Sequence, residues 1–230
     1  MRSVILIILY TLVLISVVPF FIICVIFGLR EPLMALSKAV LRLSRRILGI
    51  RVEVEGRGRI DPRVAYVYMS NHLSFLDGPL LFVLIPGMIR VLLKKSVFRI
   101  PVLGWGMLFI GFVPVDRKGM KAGKASIDKA KRLMREKGYS FLIFPEGTRS
   151  RDGSLLPFRR GGFFLAVDSQ APIVPVSIKG TYELMPRGRF RVKRGTVKVV
   201  FHEPVPSAGH SVATIPELME KVRTAIQGGL

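Results

Sequence analysis

Val4–Leu29 runs for 26 residues without a charge, longer than the about 20 residues a helix needs to cross a bilayer. Pro19 interrupts the run, so a kinked or re-entrant helix also fits. The pattern then changes. Leu33, Leu36, Val40, Leu43, Ile47 and Ile50 recur at three- and four-residue spacing, while Lys38, Arg42, Arg45 and Arg46 fall largely off that stripe. This predicts a basic amphipathic helix of the kind that lies on an anionic membrane. From Ile50 onward, short β-branched and aromatic runs alternate with helical stretches. Val52–Glu55, Val64–Met69, Ile89–Leu93, Phe112–Val115, Ser140–Phe144, Ile173–Ile178 and Thr196–Phe201 read as strands. Asp77–Ile85, Pro101–Phe109, Gly119–Lys137, Gly161–Asp168 and Pro216–Ile226 read as helices.

Continuous apolar strands separated by helices predict an α/β fold, a mostly parallel central sheet flanked by helices. An N-terminal two-helix membrane-binding segment precedes it. The expected division is 1–50 for the membrane segment and 51–230 for one catalytic domain. Two geometries fit the first segment. Val4–Leu29 spans the bilayer with the arginine-rich side cytoplasmic, or the two helices form a hairpin in one leaflet with Glu31-Pro32 at the turn. A signal peptide fits less well, because the apolar run exceeds the usual length of about 7–15 residues and no small-x-small site follows it.

Charge narrows the partners. The chain has 230 residues and a net charge of +21, from 36 Lys and Arg against 15 Asp and Glu. Such an excess predicts an anionic partner, and the neighbouring apolar run favours anionic lipid over nucleic acid. A single cysteine, Cys24, excludes an internal disulfide framework. Three scattered histidines supply no metal-ligand cluster, and no cofactor is expected.

Candidate chemistry follows the predicted strands. In Asn71-His72-Leu73-Ser74-Phe75-Leu76-Asp77 a histidine precedes an aspartate by five residues. A histidine held by a carboxylate is a minimal device for removing a proton from a hydroxyl near neutral pH. The same residues also read as a turn in which Asp77 merely caps a helix. Phe144-Pro145-Glu146-Gly147-Thr148-Arg149-Ser150 offers a flexible turn, hydroxyls and a guanidinium suited to phosphate oxygens. Glu146 is out of place there unless it orients Arg149 or meets a substrate hydroxyl. Gly111–Arg117 ends a strand with another arginine, and Val174-Pro175-Val176 puts a proline in an apolar strand, which predicts an edge or a bulge.

Taken in order, Asn71-His72-x-Ser74-x-x-Asp77, Gly111…Asp116-Arg117, Phe144–Ser150 and Val174-Pro175-Val176 resemble the four blocks of glycerolipid acyltransferases. The 1-acylglycerol-3-phosphate (lysophosphatidate) acyltransferase branch is the most similar. The resemblance covers roughly Tyr68 to Gly180, with block two the looser match. It implies His72 as general base oriented by Asp77, and Arg117, Glu146, Gly147, Thr148 and Arg149 as residues that position the acceptor's phosphate. It further implies lysophosphatidic acid as acceptor, acyl-CoA or acyl carrier protein as donor, and phosphatidic acid as product. The expected location is an inner or plasma membrane, with the catalytic domain on the cytoplasmic face. A covalent acyl-enzyme is not expected, since Cys24 lies in the apolar run and no G-x-S-x-G elbow is present. Other readings remain: an acyltransferase for glycerol-3-phosphate or another lysolipid, or a membrane-tethered protein that binds anionic lipid or nucleic acid.

Overall fold

In the computed structural model, which describes residues 2–116, 120–189 and 191–230, the chain begins with α1 (Arg2–Ile26) and α2 (Arg30–Leu48). A short turn, Phe27–Leu29, folds them back on each other, with Gly28 at φ +67°. The turn therefore precedes Glu31-Pro32, which lie in the first turn of α2. There a proline removes no intrahelical hydrogen bond. α2 stops at Gly49, whose positive φ of +72° lets its N–H reach back to the carbonyls of Arg45 and Arg46. Among the described residues no helix is long and apolar enough to cross a membrane.

The body contains β1 (Ile50–Glu55), β2 (Val67–Ser70), α3 (Asp77–Leu84), β3 (Ile89–Lys94), α4 (Leu103–Phe109), β4 (Val113–Val115) and α5 (Met120–Lys137). It continues through β5 (Ser140–Ile143), α6 (Gly161–Ser169), β6 (Ile173–Lys179), α7 (Thr181–Leu184), β7 (Gly195–Phe201) and α8 (Ile215–Gly228). The strands form one sheet in the order β1-β7-β6-β2-β5-β3-β4. Every pairing is parallel except β6–β7. That reversal has a local cause. Among the described residues from Gly180 to Arg194 the one α-helix is the four-residue α7, so the chain turns back along β6 instead of crossing over through a long helix. β7 and its partner β1 consequently start at the end of the sheet where β2, β5 and β6 finish.

Side chains alternate across the sheet into two apolar layers. Tyr68, Leu142, Val174, Val176 and Ile178 meet α1 to α4 on one face; Val67, Met69, Phe141, Ile143 and Ile173 meet α5, α6 and α8 on the other. Pro175 lies inside this sheet, not at an edge, because β6 sits between β7 and β2. It is tolerated at the last rung of the β6–β7 ladder, where its carbonyl accepts the His202 N–H and no reciprocal donor is needed. Pro114 is on the true edge strand, β4.

α2 presents Leu33, Met34, Leu41, Ser44 and Leu48 to the body, whereas Leu43 of the sequence-derived stripe is exposed. Two cations are drawn into this interface. Lys38 lies over the Phe82 ring at 5.3 Å, and burial, helped by Arg42 and Arg90, lowers its pKa. Arg90, on β3, is fully buried. Its guanidinium lies 3.8 Å from the Tyr139 ring centroid and donates to the Ile89 carbonyl and to Glu31 Oε1, each at 3.0 Å.

Glu31 thus neutralises a core charge from the hairpin. Glu31→Ala should destabilise the fold by about 2 kcal/mol, above the ~1 kcal/mol of a surface pair, because Arg90 stays charged and buried. Removing that charge as well, in Glu31→Ala/Arg90→Met, should recover much of the loss. Denaturant midpoints check this; a loss no larger than that from breaking the exposed Lys198–Glu55 pair would refute it.

Candidate active site

The candidate residues gather beyond the carboxyl ends of three adjacent strands, β5, β2 and β6, the usual location of sites in parallel sheets. His72 follows β2. Its Nδ1–H donates to Asp77 Oδ2 at 2.8 Å, and the same oxygen accepts the N–H groups of Leu73 at 2.7 Å and Ser74 at 2.8 Å. Asp77 is fully buried. It is the first residue of α3, but its side chain turns back to the preceding loop rather than capping the helix. This decides between the two readings of the pair: the carboxylate holds the histidine. With Nδ1 engaged as donor, Nε2 is the lone-pair nitrogen. The His72 ring stacks on Phe144 at 4.0 Å and 17°, which fixes its plane.

The second block lies alongside. Glu146 is only 2% exposed; Oε1 accepts the His72 N–H at 2.8 Å and Oε2 the Leu156 N–H at 3.2 Å. Both oxygens therefore face main chain, and Glu146 orients the histidine's own peptide rather than Arg149. Burial, opposed by the two N–H donors, pushes its pKa up to about 7. The Ser150 N–H donates to the His72 carbonyl at 2.9 Å. Gly147 adopts φ +71°, a conformation that strains any other residue, and a Cβ there would crowd the Arg159 side chain at 3.1 Å. Thr148 and Arg149 are partly exposed at the rim, with the Arg149 guanidinium over the Phe75 ring at 5.9 Å. Arg117 lies outside the described residues.

Other groups carry roles that residue type alone concealed. Asn71 clasps β6: its Nδ2–H donates to the Ile178 carbonyl and its Oδ1 accepts the Ile178 N–H, each at 2.8 Å. Its being the sole asparagine was the available signal. The Ser74 hydroxyl donates to the Met185 carbonyl at 2.7 Å and accepts the Leu76 N–H, so it braces the turn. His202 meets Ser177, and His210 meets Thr214, both within other parts of the fold. Among the described residues no group of three His, Cys, Asp or Glu could hold a metal ion.

The acyltransferase family profile matches residues 51–179, more than half of the chain and all of this constellation. The chain belongs to the acyltransferase family. A relative in Brassica napus, the chloroplastic 1-acyl-sn-glycerol-3-phosphate acyltransferase BAT2, is 41% identical over 142 residues, covering 60% of this chain and 40% of that one. The human 1-acyl-sn-glycerol-3-phosphate acyltransferase alpha is 30% identical over 201 residues, covering 87% and 71%. A solved acyltransferase structure, the 1-acyl-sn-glycerophosphate (LPA) acyltransferase PlsC of Thermotoga maritima, superposes with a TM-score of 0.80 at 28% identity. That match covers 100% of this chain and 96% of the other.

The raised Glu146 has a signed consequence for this acyltransferase. Its folded pKa of about 7 exceeds the ordinary 4.5, so between those values the native state binds more protons than the unfolded chain. Stability should fall as pH rises from about 4.5 to about 7, by at most about 3 kcal/mol from this group. In Glu146→Gln the slope over that window should flatten, which denaturant midpoints across the range would test.

Proposed function

We propose that this acyltransferase moves an acyl chain from an acyl thioester to the free sn-2 hydroxyl of 1-acyl-sn-glycerol-3-phosphate, giving phosphatidic acid. The observation that carries the reading is His72 clamped through Nδ1 by a buried carboxylate, beside a rim that bears Arg149 and Thr148. The relatives' names supply the acceptor class.

In the proposed reaction His72 Nε2 takes the proton of the acceptor hydroxyl as its oxygen attacks the thioester carbonyl. Asp77 stabilises the imidazolium that results. The tetrahedral intermediate then collapses, the C–S bond breaks, and the imidazolium returns the proton to the leaving thiolate. Atoms and charge balance without a covalent enzyme intermediate, a metal or a cofactor. The donor is acyl-CoA or acyl carrier protein. Thr148, Arg149 and, outside the described residues, Arg117 position the acceptor's phosphate, with Gly147 opening the turn; Glu146 serves by holding the His72 peptide.

Such a substrate arrives in a bilayer, and the surface suits one. α1 exposes Ile7, Ile8, Leu12, Ile15, Ile22 and Ile23. α4 continues this apolar surface, with Phe109 edge-on to Phe21 at 6.1 Å and with Leu103, Leu108 and a 61% exposed Trp105 facing outward. Exposed Lys94, Lys95 and Arg99 flank it, as expected for contact with anionic headgroups. We place the protein on the cytoplasmic face of an inner or plasma membrane.

His72→Ala should reduce transfer to lysophosphatidate by about 10²–10⁴-fold or more while binding to anionic vesicles is unchanged. Near-full activity in a radiolabelled-acyl assay would refute the mechanism. Trp105→Ser should leave the fold intact and lower partition onto phosphatidylglycerol vesicles several-fold. Unchanged co-sedimentation would remove α4 from the membrane contact.

A further inference from the structure

We infer that Arg187, which lies in none of the four family blocks, is a phosphate-binding residue that completes a two-guanidinium seat with Arg149 beside His72. The inference rests on the acyltransferase reading above and extends its site.

The segment after α7 is fastened to both catalytic loops. Ser74, buried in the His72 turn, donates to the Met185 carbonyl at 2.7 Å. Two residues on, Arg187 Nη1 donates to the Arg149 carbonyl at 3.1 Å and lies 3.3 Å from Thr148 Oγ1. Arg187 is thereby held over the Thr148–Arg149 rim, next in sequence to Ser150, whose N–H meets the His72 carbonyl. These contacts engage one guanidinium nitrogen. Among the described residues, Nη2 and Nε have no protein partner, and no carboxylate forms a salt bridge with Arg149, Arg159 or Arg187.

Three of the chain's fifteen acids pair with other arginines of the body among the described residues, whereas Arg149, Arg159 and Arg187 have no carboxylate partner there. Arg187 contacts the main chain of Arg149 and so brings a second guanidinium to the same loop, and forked donors match the oxygens of a phosphomonoester. The ligand chemistry is thus a dianionic phosphate. Its source is the acceptor's headgroup or a phosphate of the acyl carrier. The position beside the residues matched to the acceptor favours the headgroup.

The test is steady-state kinetics of wild type, Arg187→Ala and Arg187→Lys, varying lysophosphatidate and acyl donor separately in mixed micelles, with melting curves as a control. Arg187→Ala should raise the acceptor KM about tenfold or more with kcat within about twofold. Arg187→Lys should be intermediate, since it keeps the charge and loses the fork. A rise confined to the donor KM assigns the same phosphate chemistry to the carrier. A fall in kcat with both KM values unchanged would make Arg187 a loop brace and overturn the proposal, as would no change at all. Calorimetric titration with glycerol 3-phosphate gives a readout independent of turnover, with binding weaker in Arg187→Ala. If wild type transfers nothing to lysophosphatidate yet this difference persists, the acceptor assignment fails and the phosphate seat stands.

Discussion

A single buried oxygen, Asp77 Oδ2, receives three N–H donors within four residues of chain, one from the imidazole and two from the backbone. A carboxylate buried this deeply is tolerable only when its charge is met by donors of that number and directness. Meeting it forces Leu73 and Ser74 into a tight turn and points the His72 ring toward α3. The neighbouring contacts depend on that turn. Glu146 holds the His72 N–H that this turn presents, and the Ser74 hydroxyl reaches Met185 from the same turn. Asn71 fixes the other side by standing in for a backbone rung on β6. His72 is thus located by the sheet and not by a free loop, the arrangement that the proposed proton transfer requires.

The surface charge and the site belong to one electrostatic design. A net +21 disfavours the compact state through self-repulsion and matches the anionic surface proposed for it. Where the fold must bury cations it does so against aromatic rings, Arg90 on Tyr139 and Lys38 by Phe82. At the rim of the site Arg149 likewise lies over an aromatic ring, that of Phe75, but among the described residues no carboxylate pairs with Arg149 or Arg187.

Much of this was legible from residue pattern alone. All seven strands and five of the six body helices lie within a few residues of the runs that announced them, because central strands buried on both faces form uninterrupted apolar segments; the four-residue α7 gave no such run. The hairpin's turn was misjudged, since Glu31-Pro32 looks like a breaker but serves equally well inside a first helical turn. The antiparallel β7 was not legible, for strand direction resides in the length and path of a connection. Pro175 misled for a related reason: its tolerance depends on where the neighbouring ladder ends. The pattern singles out Glu146 as a candidate, but its inward bond to His72 spans 74 positions of sequence, which no local pattern encodes. Arg187 was invisible among 36 cations.

The reversal of β7 reaches beyond topology. It brings the exit of α2 to the end of the sheet that carries the candidate site, where the Gly195 N–H meets the Gly49 carbonyl at 3.4 Å and the Arg194 side chain lies along Gly49. Arg194 closes the same connection that carries Arg187, while the other end of α2 is pinned by Glu31 to Arg90 at the opposite end of β3. The helix is therefore a diagonal tie rod between the sheet's two ends.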